Sequence, residues 1–135
     1  MKKEFNAEAK RWLIQARDEF TDAEDLRIRK RFYLALFHFQ QATEKAIKAY
    51  LYSIVPSEEV FFTHSIYELI QMACKKDKDF KSVTKAAKLD EYYIPTRYPN
   101  GLPGGVPSQF YNDPKEAEDA MNLARKVIEL IEKKL

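Results

Sequence analysis

The most chemically pointed feature of this sequence is an arginine set among tyrosines and prolines. Arg97 is the only charged residue between Ile94 and Asn112, and Tyr92, Tyr93 and Tyr98 surround it. A guanidinium is planar, always charged and shaped to hold a phosphate through two parallel hydrogen bonds. It can bind or stabilise negative charge, but it does not exchange protons near neutral pH. The residue type is equally consistent with Arg97 pairing with a carboxylate or capping a helix end to pin its loop. Proton transfer would need a partner, and the chain has two histidines, His38 and His64. His64 stands just before a predicted helix, where an imidazole can also serve by satisfying backbone groups.

Further cations offer binding chemistry. His38, Gln41, Lys45, Lys48 and Tyr52 are spaced 3, 4, 3 and 4 apart, which puts them in one row on a helix. Lys45 and Lys48 in such a row could line a groove for a phosphate-bearing ligand. The same row would also suit the strip where the helix meets solvent or a second subunit. Six lysines, Lys75, Lys76, Lys78, Lys81, Lys85 and Lys88, are interrupted only by Asp77 and Asp79 among acidic residues. A solvated face explains such a run, as does a face contacting RNA. Arg27, Arg29, Lys30 and Arg31 form a basic knot at a helix junction, where cations favour the helix C-terminal dipole or could hold phosphate.

Most constellations with a specific chemistry are missing. There is no phosphate-binding loop, dinucleotide fingerprint or HExxH motif. Gly101, Gly104 and Gly105 lead into valine and proline rather than a lysine-bearing helix. The single Cys74 excludes an internal disulfide and a cysteine-rich zinc site, and its apolar neighbours suggest a buried thiol. No metal and no cofactor are expected. Basic and acidic residues, 23 against 21, nearly cancel to +2, so bulk charge does not mark a nucleic-acid binder. The opening MKKEFNAEAKRW has no apolar stretch behind its basic residues, and no uncharged run approaches the ~18 residues of a membrane helix. A cytoplasmic protein is expected.

The elements that must position these residues are helices. The segment from Phe32 to Ile54 has no proline or glycine and reads as the central helix. Phe32, Ala35, Leu36, Phe39, Ala42, Ala46, Ala49 and Tyr50 share one side, and Leu34, Phe37, Ile47, Leu51 and Ile54 widen it. A first helix is expected from Ala7 to about Arg29, with Asn6 as N-cap, Ala9, Leu13, Ala16, Phe20 and Ala23 inward, and Trp12 as a core anchor. Pro56 stops the central helix. Ser65 and Glu68 make a capping-box pattern opening a third helix to Lys76. A fourth, roughly Asp79 to Tyr93, turns Phe80, Val83, Ala86, Ala87, Leu89 and Tyr93 inward. Prolines every fourth residue from Pro95 to Pro107 then forbid a regular helix, and the aromatics there suggest a loop packed onto the body. Asp113, Pro114 and Glu116 begin the last helix, whose face from Ala117 to Leu135 is apolar. The expected fold is all-α: one domain over 1–135, an up-and-down bundle of about five helices with a long Pro/Gly-rich loop before the last.

Three stretches together resemble the HEPN domain family. They are AKRWLIQARDEFTDAEDL, then ALFHFQQATEKAIKAYL with THSIYEL, then YYIPTRYPNG leading into DPKEAEDAMNLARKVI. The resemblance implies a helical bundle, commonly a homodimer, often paired with a minimal nucleotidyltransferase in toxin–antitoxin modules. Active members are metal-independent ribonucleases whose arginine is followed, after four to six residues, by histidine. Arg97 matches that arginine, but the histidine positions hold Leu102, Pro103 and Gly104. The pattern therefore lacks its proton-transfer group, a role worth roughly 10²–10⁴-fold in rate. The resemblance thus points to a non-catalytic homodimer that associates with a nucleotidyltransferase partner, nucleotide or RNA. Arg97 and Tyr98 would be the loop contacts, and Lys45 and Lys48 would add to them from the central helix. A ribonuclease using His64 as a displaced histidine and a purely structural adaptor are the alternatives.

Overall fold

A computed structural model describes residues 2–54 and 62–135, with side chains from Ala7 onward. The fold is the expected all-α bundle. α1 spans Lys2–Ile28, α2 Phe32–Ile54 and α3 Ile66–Lys76, followed by a 3-10 helix over Lys78–Tyr92. The one-turn α4, Pro107–Phe110, and a turn at Pro99–Gly101 lie within the proline-rich loop, and α5 spans Pro114–Lys134. No strand occurs among the described residues.

α2 is the hub, because it packs against α1, α3, α4, α5 and the 3-10 helix. Its alanines let neighbours approach closely, and Ala35, Ala42, Ala46 and Ala49 are completely enclosed with Leu36, Phe39 and Ile47. Leu34 and Phe37 are only half-buried and Ile54 is exposed, so the apolar surface is narrower than expected. The larger surprise is polar: Gln40, Thr43, Glu44 and Lys48 are buried on α2. Leu135 at the far end of α5 is likewise exposed rather than inward.

α1 begins at Lys2, ahead of Asn6, which overturns Asn6 as its N-cap. Its C-terminus closes with Arg31 N–H bonded to the Leu26 carbonyl and Lys30 N–H to that of Arg27. That paired closure places Lys30 in the left-handed region at φ 63°, the position where glycine is usual. Trp12 is half-buried against the core, and Cys74 is half-buried rather than fully enclosed. The expected helix stop at Pro56 lies outside the described residues.

The segment expected as an ordinary fourth helix winds more tightly, and its sequence shows why. Phe80, Val83, Ala86, Leu89 and Tyr92 are its buried residues, each three after the last. On an α-helix every step of three falls about 60° short of a full turn, so five such residues would sweep most of the circumference. At three residues per turn they align on one face. Burial of that repeat outweighs the poorer hydrogen-bond geometry of the tighter winding. Val83, at φ −119° and ψ 16°, takes up a kink. The register also corrects two core assignments: Tyr92 is buried, whereas Tyr93 and Ala87 are only partly so.

Capping follows the expected residues with different partners. Ser65 Oγ accepts from Glu68 N–H at 3.2 Å. Glu68 does not complete the box; it accepts from Thr63 Oγ1 at 2.6 Å. Asp90 supplies the missing acceptor from the 3-10 helix, taking Ile66 N–H at 2.8 Å, Tyr67 N–H at 3.0 Å and Ser65 Oγ at 3.2 Å. One carboxylate thus fastens the N-terminus of α3, where negative charge is favoured. Asp90→Ala should cost about 2 kcal/mol in chemical denaturation, with Asp90→Asn recovering only part of it, because an amide keeps one accepting oxygen and no charge. A loss below about 0.5 kcal/mol would contradict this fastening role.

Candidate functional site

Arg97 is positioned by the chain's exit from the 3-10 helix. Buried Thr96 donates from Oγ1 to the Tyr92 carbonyl at 2.5 Å, and the Arg97 and Tyr98 amides donate to the Ile94 carbonyl at 3.0 and 3.3 Å. This tight turn throws the Arg97 side chain outward. Its guanidinium carbon lies 4.7 Å from the Phe37 ring centre, 4.6 Å from Tyr93 and 5.0 Å from Tyr98. Nε donates to the Tyr93 carbonyl at 2.7 Å. No carboxylate pairs with Arg97 among the described residues, and its terminal nitrogens have no protein partner there. The cation is therefore oriented by three rings and one carbonyl, with its fork of N–H donors left exposed.

His64 arrives at the same place from another element. Its imidazole stacks on Tyr93, with ring centres 5.2 Å apart and planes 17° from parallel. Its Nδ1 lies 3.3 Å from Glu44 Oε2, and Gln40 Nε2 donates to its carbonyl at 3.1 Å. A carboxylate can only accept, so Nδ1 carries the hydrogen of this contact. The His64 side chain is 54% exposed, against 4% for Glu44. Tyr93 thus links the two sequence-expected candidates, Arg97 and His64. A shallow cleft beside it is lined by Phe62, Thr63, His64, Ser65, Asp90 and Tyr93.

Lys45 and Lys48 do not join this notch, and the row they belong to divides. Lys48 is buried and donates from Nζ to Glu44 Oε2 at 3.0 Å. Lys45 faces α1, donating to Glu19 Oε1 at 2.6 Å, while His38 Nδ1 contacts Glu19 Oε2 at 2.8 Å. Burial works to raise the Glu19 pKa, but the bonds from His38 and Lys45 outweigh it and hold the carboxyl below its usual range. α2 meets Arg97 through Phe37, not through the Gln41, Lys45 and Lys48 row. Tyr98 remains beside Arg97 and half its surface is open.

Sequence reasoning missed Phe37, Gln40 and Glu44 as site residues. A signal existed: Phe37, Gln40, Glu44 and Lys48 are spaced 3, 4 and 4, a helical stripe beside the row at Gln41 and Lys45. It was obscured because charged residues are rarely fully buried unless paired. Glu44 is also unusual in that Oε1 is enclosed and has no hydrogen-bond partner among the described residues. Tyr92 can be set aside as a base. Burial first, and its hydrogen bond to Glu116 second, hold its phenol far above the ordinary value. Among the described residues, no group of three or more His, Cys, Asp or Glu is placed to hold a metal. No helix there is long and apolar enough to cross a membrane.

Comparison with known proteins supplies the lineage. The HEPN domain family model matches residues 9–134. The Methanocaldococcus jannaschii protein named "Putative toxin MJ1304" is 28% identical over 130 residues, spanning 91% of this chain and 85% of its own length. The crystal structure of TT1696 from Thermus thermophilus superposes with a TM-score of 0.83 at 37% identity, covering 94% of this chain and 98% of that one. That of ST0689, described as an archaeal HEPN homologue, gives 0.75 at 25% identity, covering 93% and 96%. With a family model matched over nearly its whole length, this chain belongs to the HEPN domain family.

Proposed function

We propose that this HEPN protein recognises a phosphate-bearing nucleotide or RNA, with Arg97 as the phosphate contact and Tyr98 as an adjoining ring. One observation carries the reading: the guanidinium is held by three rings and a carbonyl while no carboxylate neutralises it among the described residues. A structural arginine would be expected to spend its fork on protein acceptors. Exposed aromatics beside a cation also suit unpaired bases, whose faces stack at about 1–3 kcal/mol each. In this proposal the protein works in the cytoplasm as a homodimer within a toxin–antitoxin type module, beside a minimal nucleotidyltransferase. Family membership and the toxin name of a relative support that setting. Equilibrium titration with a nucleoside and its 5′-phosphate tests the core of it. The phosphate form should bind, the nucleoside should bind far more weakly, and equal binding would sink the assignment.

The placement of His64 favours a second reading, a metal-independent ribonuclease. An imidazole whose Nδ1 is held by Glu44 leaves Nε2 of the neutral ring to accept a proton from an attacking hydroxyl, and Tyr93 is the ring it shares with the guanidinium that would bind the phosphate. If this holds, purified protein cleaves RNA in the presence of a chelator, and His64→Ala lowers the rate by at least about 100-fold. Intact RNA after long incubation, or cleavage unchanged in His64→Ala, would leave the non-catalytic proposal standing.

A further inference from the structure

The six-lysine segment is not absorbed by the Arg97 notch, and the tight winding of its helix gives it an unusual geometry. With Phe80, Val83, Ala86, Leu89 and Tyr92 on the inner face, three residues per turn leave two outer edges. Lys78 and Lys81 share one edge before the kink at Val83, Lys85 and Lys88 share one after it, and all four are exposed. Each pair is separated by about 6 Å along the axis, against about 4.5 Å had the segment been α-helical.

Of the carboxylates in and beside this segment, Glu91 alone is uncommitted among the described residues, three residues after Lys88, and four lysines outnumber it. Lys134, reaching over from α5, holds Asp77 at 2.8 Å and Asp79 at 2.5 Å. Asp90 is committed to the N-terminus of α3. Among the described residues none of the four lysines has an ion-pair partner. An unpaired cation run in water favours a polyanion, because binding releases the counterions condensed on it. The segment runs from Lys78 across the kink at Val83 to Tyr92, beside Tyr93 of the notch.

We infer that the outer edges of the 3-10 helix, carrying Lys78, Lys81, Lys85 and Lys88, form a track for the phosphodiester backbone of an RNA whose end or unpaired base occupies the Arg97 notch. This rests on the proposed reading that the ligand is RNA. It adds that affinity depends on RNA length, because the track engages phosphates beyond the notch.

The test uses the full chain and a variant with all four lysines changed to glutamine, checked for an unchanged circular dichroism spectrum. Single-stranded RNAs of about four and about twenty nucleotides are titrated by fluorescence anisotropy across a salt series. Each neutralised phosphate contributes about 0.7 to the slope of log affinity against log salt. The slope for the long RNA should fall by about 3 in the variant, and its affinity at least about tenfold, while the short RNA binds as before. If the wild-type protein binds both RNAs and the variant keeps the slope and the length dependence, the track is wrong and the notch survives. If the wild-type protein binds neither, the RNA reading and the track fall together.

Discussion

Lys48→Ala should destabilise the fold by about 3–5 kcal/mol, the cost of stranding a buried charge. Lys48 and Glu44 have side chains only 3% and 4% exposed and lie one helical turn apart in the centre of α2. Truncating the lysine leaves Glu44 with the His64 contact on Oε2 and, among the described residues, no partner on Oε1. In a domain of this size the loss corresponds to a Tm drop on the order of 10 °C. The double variant Glu44→Gln with Lys48→Met should recover much of it, because removing both charges abolishes the desolvation penalty. A single-variant cost below about 1 kcal/mol in chemical denaturation would show that the pair is hydrated in solution. The pair also supports the candidate site, since Glu44 orients the His64 imidazole. Lys48→Ala should therefore shift the His64 ring resonances, whereas substituting an exposed lysine such as Lys75 should not.

Arg97→Ala is expected to weaken nucleotide or RNA binding by about 10- to 150-fold. That factor corresponds to the 1.5–3 kcal/mol of a hydrogen bond to a charged group. Arg97 is exposed, and its three cation–ring contacts, at about 0.5–1 kcal/mol each, bound the cost to the fold at about 1.5–3 kcal/mol. Arg97→Lys keeps the charge but not the planar fork, so it should recover only part of the affinity. Binding unchanged in Arg97→Ala would show that the rings hold the arginine for structure alone. A parallel loss of stability and binding would point the same way, and denaturation of each variant separates the two cases.

The fold was legible where apolar period and helix type agree. The alanines and aromatics of α2 repeat at helical spacing, and each of the eight residues expected on its main face is buried. Asp113 with Pro114 marks the start of α5, as its geometry confirms, with Asp113 accepting from Lys115 N–H at 2.9 Å. The 3-10 helix was not legible, because a run of threes reads equally well as a ragged α-helical stripe. The α-helical register turns Tyr93 inward in place of Tyr92 and so hides the ring on which the site is built. The burial of Glu44 and Lys48 was concealed for a different reason: a charged i, i+4 pair ordinarily marks a surface, and only tertiary packing shows this one enclosed.

Arg97 and His64 were both visible as isolated candidates, yet nothing local connects them. Their meeting depends on Asp90 docking the N-terminus of α3 onto the 3-10 helix. It depends equally on the turn after Tyr92, which brings Tyr93 between them. The first is a contact between segments distant in sequence, and the second is a local turn that the proline-rich spacing does not specify.

Whether the exposed fork of Arg97 holds a phosphate can be measured directly by NMR. The resonances of the Arg97 guanidinium and of the Tyr93 and Tyr98 rings are followed while a short RNA is added. If the fork takes the phosphate, the guanidinium resonances shift saturably and the neighbouring rings move over the same concentrations, with a nucleoside lacking phosphate producing little. Saturable binding that perturbs other surfaces while Arg97, Tyr93 and Tyr98 stay still would contradict it.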